Sequence, residues 1–329
     1  MMANLLEVKN LRIELTTREG VAPVIDDLSF TLNPGETLSF VGESGCGKSM
    51  TALGLMGLLP EKVGRVAAGE IRFNGENLAQ ASDIRLREIR GNDISMIFQE
   101  PMTSLNPVFT VGEQIAEVLR AHQGLSRKAA WTQAIELLDA VRIPNAKNRV
   151  SNYPFQMSGG QRQRAMIAIA LACQPKILIA DEPTTALDVT VQAQIFDLLG
   201  DLRRQTGAAI ILITHDMGAV AEMAERMIVM YAGRKVEFGP VDQIIERPRH
   251  PYTKGLIECV PHIQSDLTSE RHDLIEVPGI VPSLREFGKN QCLFASRCPY
   301  LTDQCLAARP IEKVFDDGQT ADCWQAEAL

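Results

Sequence analysis

Residues 42–49 read Gly-Glu-Ser-Gly-Cys-Gly-Lys-Ser, directly after the apolar stretch Leu38-Ser39-Phe40-Val41. Glycines spaced this closely let the backbone fold so tightly that successive N–H groups point inward at an anion, and the residues that close the run add a charge and a hydroxyl. The chemistry is that of a triphosphate site. Gly42, Ser44, Gly45, Cys46, Gly47 and Met50 are expected to lend backbone to the phosphates, Lys48 to reach the β- and γ-phosphates, and Ser49 to ligate Mg²⁺. A second group of reactive residues follows at Ile177-Leu178-Ile179-Ala180-Asp181-Glu182. A short apolar run closed by carboxylates reads as a buried parallel strand that delivers acids to the carboxyl edge of a sheet. Such a site needs one carboxylate on the metal and one on the nucleophile, so Asp181 is expected to hold Mg²⁺ through water and Glu182 to polarise the water that attacks the γ-phosphate. The third group, Met157-Ser158-Gly159-Gly160-Gln161, has the S-x-x-Q spacing of a capping box ahead of an apolar helix expected from Arg162 to about Cys173. That spacing alone would suit a plain capped helix. The paired glycines, however, leave the first-turn N–H groups bare, which suits an anion at the positive end of the helix.

These segments, in this order, resemble the ABC ATPase family, whose signature sequence is nearly matched at Met157–Gln161 with Met157 where Leu is usual. The two residues fill similar apolar volumes. The resemblance covers about residues 5–260 and implies an α/β fold: a RecA-like P-loop core with an antiparallel β subdomain and an inserted α-helical subdomain. It implies roles for three more residues. Gln99, in Met96-Ile97-Phe98-Gln99-Glu100-Pro101, matches the Q-loop that senses Mg²⁺ and the attacking water. Asp188, in Ala186-Leu187-Asp188, matches the D-loop that lies across a dimer interface. His215, after the apolar run from Ile210 to Thr214, matches the switch histidine at the γ-phosphate. ATP and Mg²⁺ are the implied ligands. They would be clasped between the Lys48 loop of one subunit and Ser158, Gly159, Gly160 and Gln161 of another. One departure stands out: the family stacks adenine on an upstream aromatic, and no aromatic lies between Asn10 and Ser29. Leu15 or Val24 would have to serve, and an aliphatic platform loses the stacking energy that favours one base over another. Weaker discrimination of ATP from GTP is therefore expected.

Placing these residues requires a core, and 329 residues at 45% hydrophobic, with mean hydropathy −0.03 and net charge −8, can build one large domain plus an appendage. The longest purely apolar stretch, Ala165 to Cys173, is far short of the ~20 residues that span a bilayer. The start of the chain lacks the basic and apolar regions of a secretion signal, which points to the cytosol. An acidic balance argues against nucleic acid as partner. Short β-type segments dominate residues 1–90, with a tight-turn signal at Phe73-Asn74-Gly75-Glu76. Residues 93–165 read as helix-rich, with Trp131, Ile135 and Leu138 forming an apolar stripe, and α/β alternation returns over 165–240 with Pro175, Gly207 and Gly233 at turns. After Pro240 the chain turns Pro-rich and irregular. The expected division is a nucleotide-binding domain at 1–240, with a helical subdomain at about 93–165, and an extension at 241–329.

Within that extension, Arg249-His250-Pro251-Tyr252-Thr253, a Pro-rich stretch and clustered cysteines resemble the C-terminal extension of the dipeptide and oligopeptide permease ATPases, as does Gln99 through Pro107. His250 itself reads as a helix start. This resemblance implies an ATP-hydrolysing subunit, peripheral at the cytoplasmic face of the inner membrane, that powers peptide import. Its implied partners are a second homologous ATPase subunit, two integral membrane permease subunits touched by residues just beyond Gln99, and an extracytoplasmic solute-binding protein. Nickel, opine or glutathione uptake uses the same ATPase type. A soluble non-transport ABC ATPase fits less well, because the chain has one cassette and no basic surface. Cys292, Cys298, Cys305 and Cys323 are separated by five, six and seventeen residues. Disulfides are disfavoured in the cytosol, and zinc sites usually carry tighter C-x-x-C pairs. Four thiolates at this spacing, with Cys298-Pro299 among them, are expected to hold a [4Fe–4S] cluster, with Zn²⁺ or unliganded thiols as alternatives. Cys46, Cys173 and Cys259 need no ligand role.

Overall fold

A computed structural model of the chain describes residues 4–185, 187–259, 277–283, 286 and 290–328, with backbone only at 101–102. Strands β1 (Leu6–Thr17), β2 (Gly20–Leu32) and β3 (Thr37–Val41) precede helix α1 (Lys48–Met56), and β4 (Gly64–Phe73) and β5 (Glu76–Asn77) lead to α2 (Asp83–Ile89), β6 (Ile94–Ile97) and α3 (Pro101–Ser104). Helices α4 (Val111–Gln123), α5 (Arg127–Ala140), α6 (Ala146–Arg149) and α7 (Gly159–Leu171) follow. Then come β7 (Ile177–Asp181), α8 (Val189–Thr206), β8 (Ala209–Ile213), α9 (Met217–Met223), β9 (Arg226–Tyr231) and β10 (Arg234–Pro240). The chain closes with α10 (Val241–Glu246), α11 (Pro251–Glu258), α12 (Asp303–Ala307), β11 (Lys313–Val314) and β12 (Thr320–Ala321). Among the described residues no helix is long and apolar enough to cross a membrane.

The chain forms two compact units, one of Met1–Leu6, Thr31–Thr37 and Arg72–Ile213, the other of Glu7–Phe30, Leu38–Ile71 and Thr214–Leu329. In the first, β6, β7 and β8 run parallel, with Ile94 opposite Ile177 and Ile177 opposite Ala209. All fourteen residues of these strands are buried, as expected for parallel strands covered on both faces. β6 lies inside the stretch read as helix-rich, because four residues are too few to display a period. The Asn74-Gly75 turn forms as expected, with both residues at positive φ and Phe73 opposite Glu76. Thr110 and Ser126 cap α4 and α5 through the N–H groups of Glu113 and Ala129. Leu138 of the expected α5 stripe is buried, whereas the other two buried positions fall one residue earlier than expected. Ala130, Ala134 and Leu138 are buried while Trp131 and Ile135 are half-buried, because the small side chains let neighbouring helices approach.

In the second unit, β2, β1 and β4 lie side by side in one sheet. In the other, β3 pairs parallel with β9, β9 antiparallel with β10, β10 with β12, and β12 with β11. The segment after Pro240, which reads as irregular, is built into this unit. Tyr252 and Phe294 lie 4.7 and 5.2 Å, centroid to centroid, from Tyr231 of β9, and Ile244 and Leu293 join the same buried cluster. Burying large aromatic surface supplies the free energy that short elements cannot draw from their own hydrogen bonds.

Candidate functional site

In the second unit, β3 is buried along its whole length and delivers the chain to the glycine loop. Gly42, Gly45 and Gly47 have φ of 145°, 81° and 107°, so the backbone follows a path closed to most side chains. Gly47 is the N-cap of α1 and offers no side chain to its first N–H groups, which leaves them open to an anion. The buried Lys48 ammonium donates to the carbonyls of Gly42 at 2.6 Å and Glu43 at 3.1 Å, and lies 3.6 Å from Cys46 Sγ. Burial pushes the Cys46 thiol up, so that it packs beneath the loop as a neutral group. Ser44 and Gly45 are exposed and Ser49 and Met50 half-buried, which leaves the lip of the loop facing water. His215 is exposed beside β3, because the preceding Thr214 N–H donates to Phe40 O at 3.3 Å. The next residue, Asp216, caps α9 by accepting from Gly218 and Ala219. Of the two aliphatic candidates for an adenine platform, Val24 is 4% exposed and out of reach, whereas Leu15 is half-buried.

In the first unit, Asp181 ends β7 at 4% exposure. Glu182 follows with φ of 45°, and its N–H donates to Ile213 O at 2.8 Å. A non-glycine residue held in the left-handed region is uncommon and strained, and it turns this carboxylate away from the path of the strand. One oxygen, Oε2, accepts from Gln99 Nε2 at 2.8 Å and from Thr185 Oγ1 at 2.9 Å. Gln99 and Glu182 are thus brought together from the ends of adjacent parallel strands. Thr185 is missing from the sequence reading, and its only trace there is a hydroxyl three residues beyond an acid. The Ser158–Gln161 capping box forms reciprocally, at 3.4 and 3.2 Å. It starts α7 at Gly159 rather than Arg162, so both glycines lie in the first turn. A Cβ on Gly160 would stand 3.0 Å from Val191 Cγ1, and one on Gly159 would stand 3.7 Å from Leu187 Cδ2. Gly160 therefore serves packing as well as bare N–H groups, whereas an added Cβ at Gly159 would make only an ordinary contact. Asp188, exposed, caps α8 through Val191 N at 2.9 Å; its neighbour Ala186 lies outside the described residues. Met157 is buried, consistent with its filling an apolar slot.

The [4Fe–4S] reading of Cys292, Cys298, Cys305 and Cys323, with its zinc alternative, is corrected by the structure. Among the described residues no group of three or more His, Cys, Asp or Glu side chains is placed to hold a metal ion. Cys292 and Cys298 pack against the Tyr231 cluster, whereas Cys323 belongs to a separate small cluster with Ala321 and Ala326. Without a metal, burial first and neighbouring cysteines after it push the Cys292 thiol up to about 11 and the Cys323 thiol up to about 12. Cys305 Sγ lies 3.3 Å from Thr302 Oγ1, and Cys323 Sγ accepts from Gln325 N. Spacing in sequence groups these thiols, but Cys292, Cys298 and Cys323 pack as apolar filling.

A glycine loop at the start of a helix, and a parallel-stranded unit that ends in an acid pair, define a phosphate-loop nucleotide-binding protein. The family described as "ABC transporter" matches residues 25–185, and "Oligopeptide/dipeptide transporter, C-terminal region" matches residues 236–305. The chain is 49% identical to the probable peptide ABC transporter ATP-binding protein y4tR of Sinorhizobium fredii, over 99% of this chain and 96% of that one. It is 50% identical to the oligopeptide transport ATP-binding protein OppD of Haemophilus influenzae, over 98% of both. Among solved structures, the ATP-binding cassette MJ0796, described as dimeric, post-hydrolysis and bound to ADP and Pi, superposes with a TM-score of 0.64 at 29% identity, over 72% of this chain and 98% of that one. The chain belongs to the ABC transporter ATP-binding proteins, in the oligopeptide/dipeptide transporter family.

Proposed function

We propose that this chain is the ATP-hydrolysing subunit that powers import of di- and oligopeptides through a membrane ABC transporter. The observation that carries the reading is its 50% identity to an oligopeptide transport ATP-binding protein along 98% of both chains. In this reading the loop from Gly42 to Met50 grips the triphosphate of ATP, with Lys48 on the β- and γ-phosphates. Ser49, Asp181 and Gln99 offer hydroxyl, carboxylate and amide oxygens, a hard donor set suited to Mg²⁺. When bound, that ion neutralises charge on the phosphate oxygens. Glu182, oriented by Gln99 and Thr185, takes the proton of the attacking water, and His215 contacts the γ-phosphate. Ser158, Gly159, Gly160 and Gln161, followed by Asp188, complete the site of a partner subunit, so ATP joins two chains and its cleavage parts them.

In this reading the nucleotide-binding domain covers 1–240, with a helical insertion at about 93–165, and the extension covers 241–329; a second family match that begins at residue 236 supports a change of character near there. The partners in this reading are a related ATPase chain, two integral membrane subunits and an extracytoplasmic peptide-binding protein, which put this chain on the cytoplasmic face of the membrane. Affinity purification of the tagged chain from membranes tests it. Two integral membrane proteins should co-purify, and addition of the peptide-loaded binding protein should raise ATP hydrolysis. ATP hydrolysis that responds only to nickel or to another non-peptide solute would overturn the peptide assignment.

A further inference from the structure

Arg297 lies in the single turn Ala295–Arg297, far beyond the nucleotide-binding motifs in sequence, yet its side chain is 2% exposed and reaches the glycine loop. Its Nη1 and Nη2 donate to Glu43 Oε2 and Oε1 at 2.6 and 2.9 Å, a two-pronged grip on the second residue of the loop. Three further acceptors hold the guanidinium: Pro278 O at 2.6 Å, Val277 O at 3.0 Å and the Tyr231 hydroxyl at 3.4 Å. From α11, the buried Tyr252 hydroxyl accepts the Glu43 N–H at 2.7 Å. The Glu43 carbonyl meanwhile accepts from Lys48. Carboxylate, N–H and carbonyl of this one loop residue are all fixed, two of the three by the segment that follows Pro240.

A phosphate cradle works only when its N–H groups already converge, because ordering them on binding costs affinity. We propose that Arg297 and Tyr252 are positioning residues of the phosphate loop, clamping Glu43 so that the segment after Pro240 sets the loop's affinity for ATP. The inference rests on the ATPase reading above and adds a function to a region that reading leaves structural.

The test is steady-state ATP hydrolysis and thermal melting of the full chain with its partners, for Arg297→Gln, Glu43→Gln, the double variant and Arg297→Lys. Each single Gln variant should raise KM for ATP roughly tenfold, the scale of one charge-assisted contact, with kcat changed less than about twofold. The double variant should be no worse than either single one, because both remove the same grip. Arg297→Lys, which keeps the charge without the fork, should fall between. A lowered melting temperature with unchanged KM, or singles whose effects multiply in the double, overturns the proposal. If Arg297→Gln does not fold, Tyr252→Phe decides: a KM raised about threefold supports the clamp, and an unchanged KM overturns it. Wild-type chain without ATP turnover would defeat the ATPase reading and the clamp with it, whereas normal wild-type turnover with an insensitive KM defeats the clamp alone.

Discussion

Gly42→Ala tests whether the path of the loop is set by sterics rather than by motif membership. A Cβ at Gly42 would stand 2.3 Å from Met230 O and 2.9 Å from Cys46 Sγ, at φ of 145°. Carbon and carbonyl oxygen rest no closer than about 3.3 Å, so about 1 Å must be made up. Met230 belongs to β9, which is pinned between β3 and β10 and cannot yield cheaply. The backbone conformation costs an alanine about 1–3 kcal/mol, and relieving the overlap costs about 1–3 kcal/mol more. At roughly 2 °C per kcal/mol for a chain of this size, the melting temperature should fall by about 4–12 °C. Gly45→Ala is the control in the same motif, with φ of 81° and no atom within 4 Å of its Cβ. It should cost about 1 kcal/mol and about 2 °C. Circular-dichroism melts of both variants, followed by ATP titration, give the answer. Equal losses at the two positions, or a Gly42→Ala chain that melts within about 2 °C of wild type, would refute the steric argument.

Glu182→Gln keeps the shape around Gln99 and Thr185 but removes the carboxylate proposed as the base. It should bind ATP with wild-type affinity and lose at least about a hundredfold in kcat; residual turnover above a tenth of wild type would count against Glu182. With Val24 buried and no aromatic platform upstream, GTP should compete with a fluorescent ATP analogue within about tenfold of ATP itself, and strong ATP selectivity would show another group reading the base. Asp322 is pushed up to about 7, chiefly by burial and then by nearby Glu312. A carboxyl raised in the folded state stabilises most when protonated, so its contribution is full below about pH 4 and is lost as pH rises through about 7. Asp322→Asn should therefore show a smaller drop in melting temperature between pH 5 and pH 8 than wild type, and parallel curves would refute the assignment.

What could be read from sequence was chemistry carried by contiguous residues. The Gly42–Ser49 loop and the Asp181-Glu182 pair announce themselves because motif and geometry share one short stretch. Gln99 is singled out only by family resemblance, and its contact with Glu182 across 83 residues is one that no spacing predicts. The Arg297–Glu43 and Tyr252–Glu43 contacts span 254 and 209 residues and left no periodic trace at all. β6 was lost in a helical stretch because buried parallel strands show no alternation, and the region after Pro240 looked irregular because its order comes from packing on Tyr231. The cysteines mislead in the opposite sense. Their spacing invites a ligand set, but ligation needs side chains that converge on one point, and among the described residues they do not.

The contact of Tyr231 with Tyr252 and Phe294 has a practical side. A chain trimmed at Pro240 would keep every residue of the ATPase motifs and still strip Tyr231 and its buried cluster of Tyr252, Leu293 and Phe294, leaving a greasy seam prone to sticking to other copies. Anyone wishing to carve a minimal motor from this lineage has to resurface that seam before cutting.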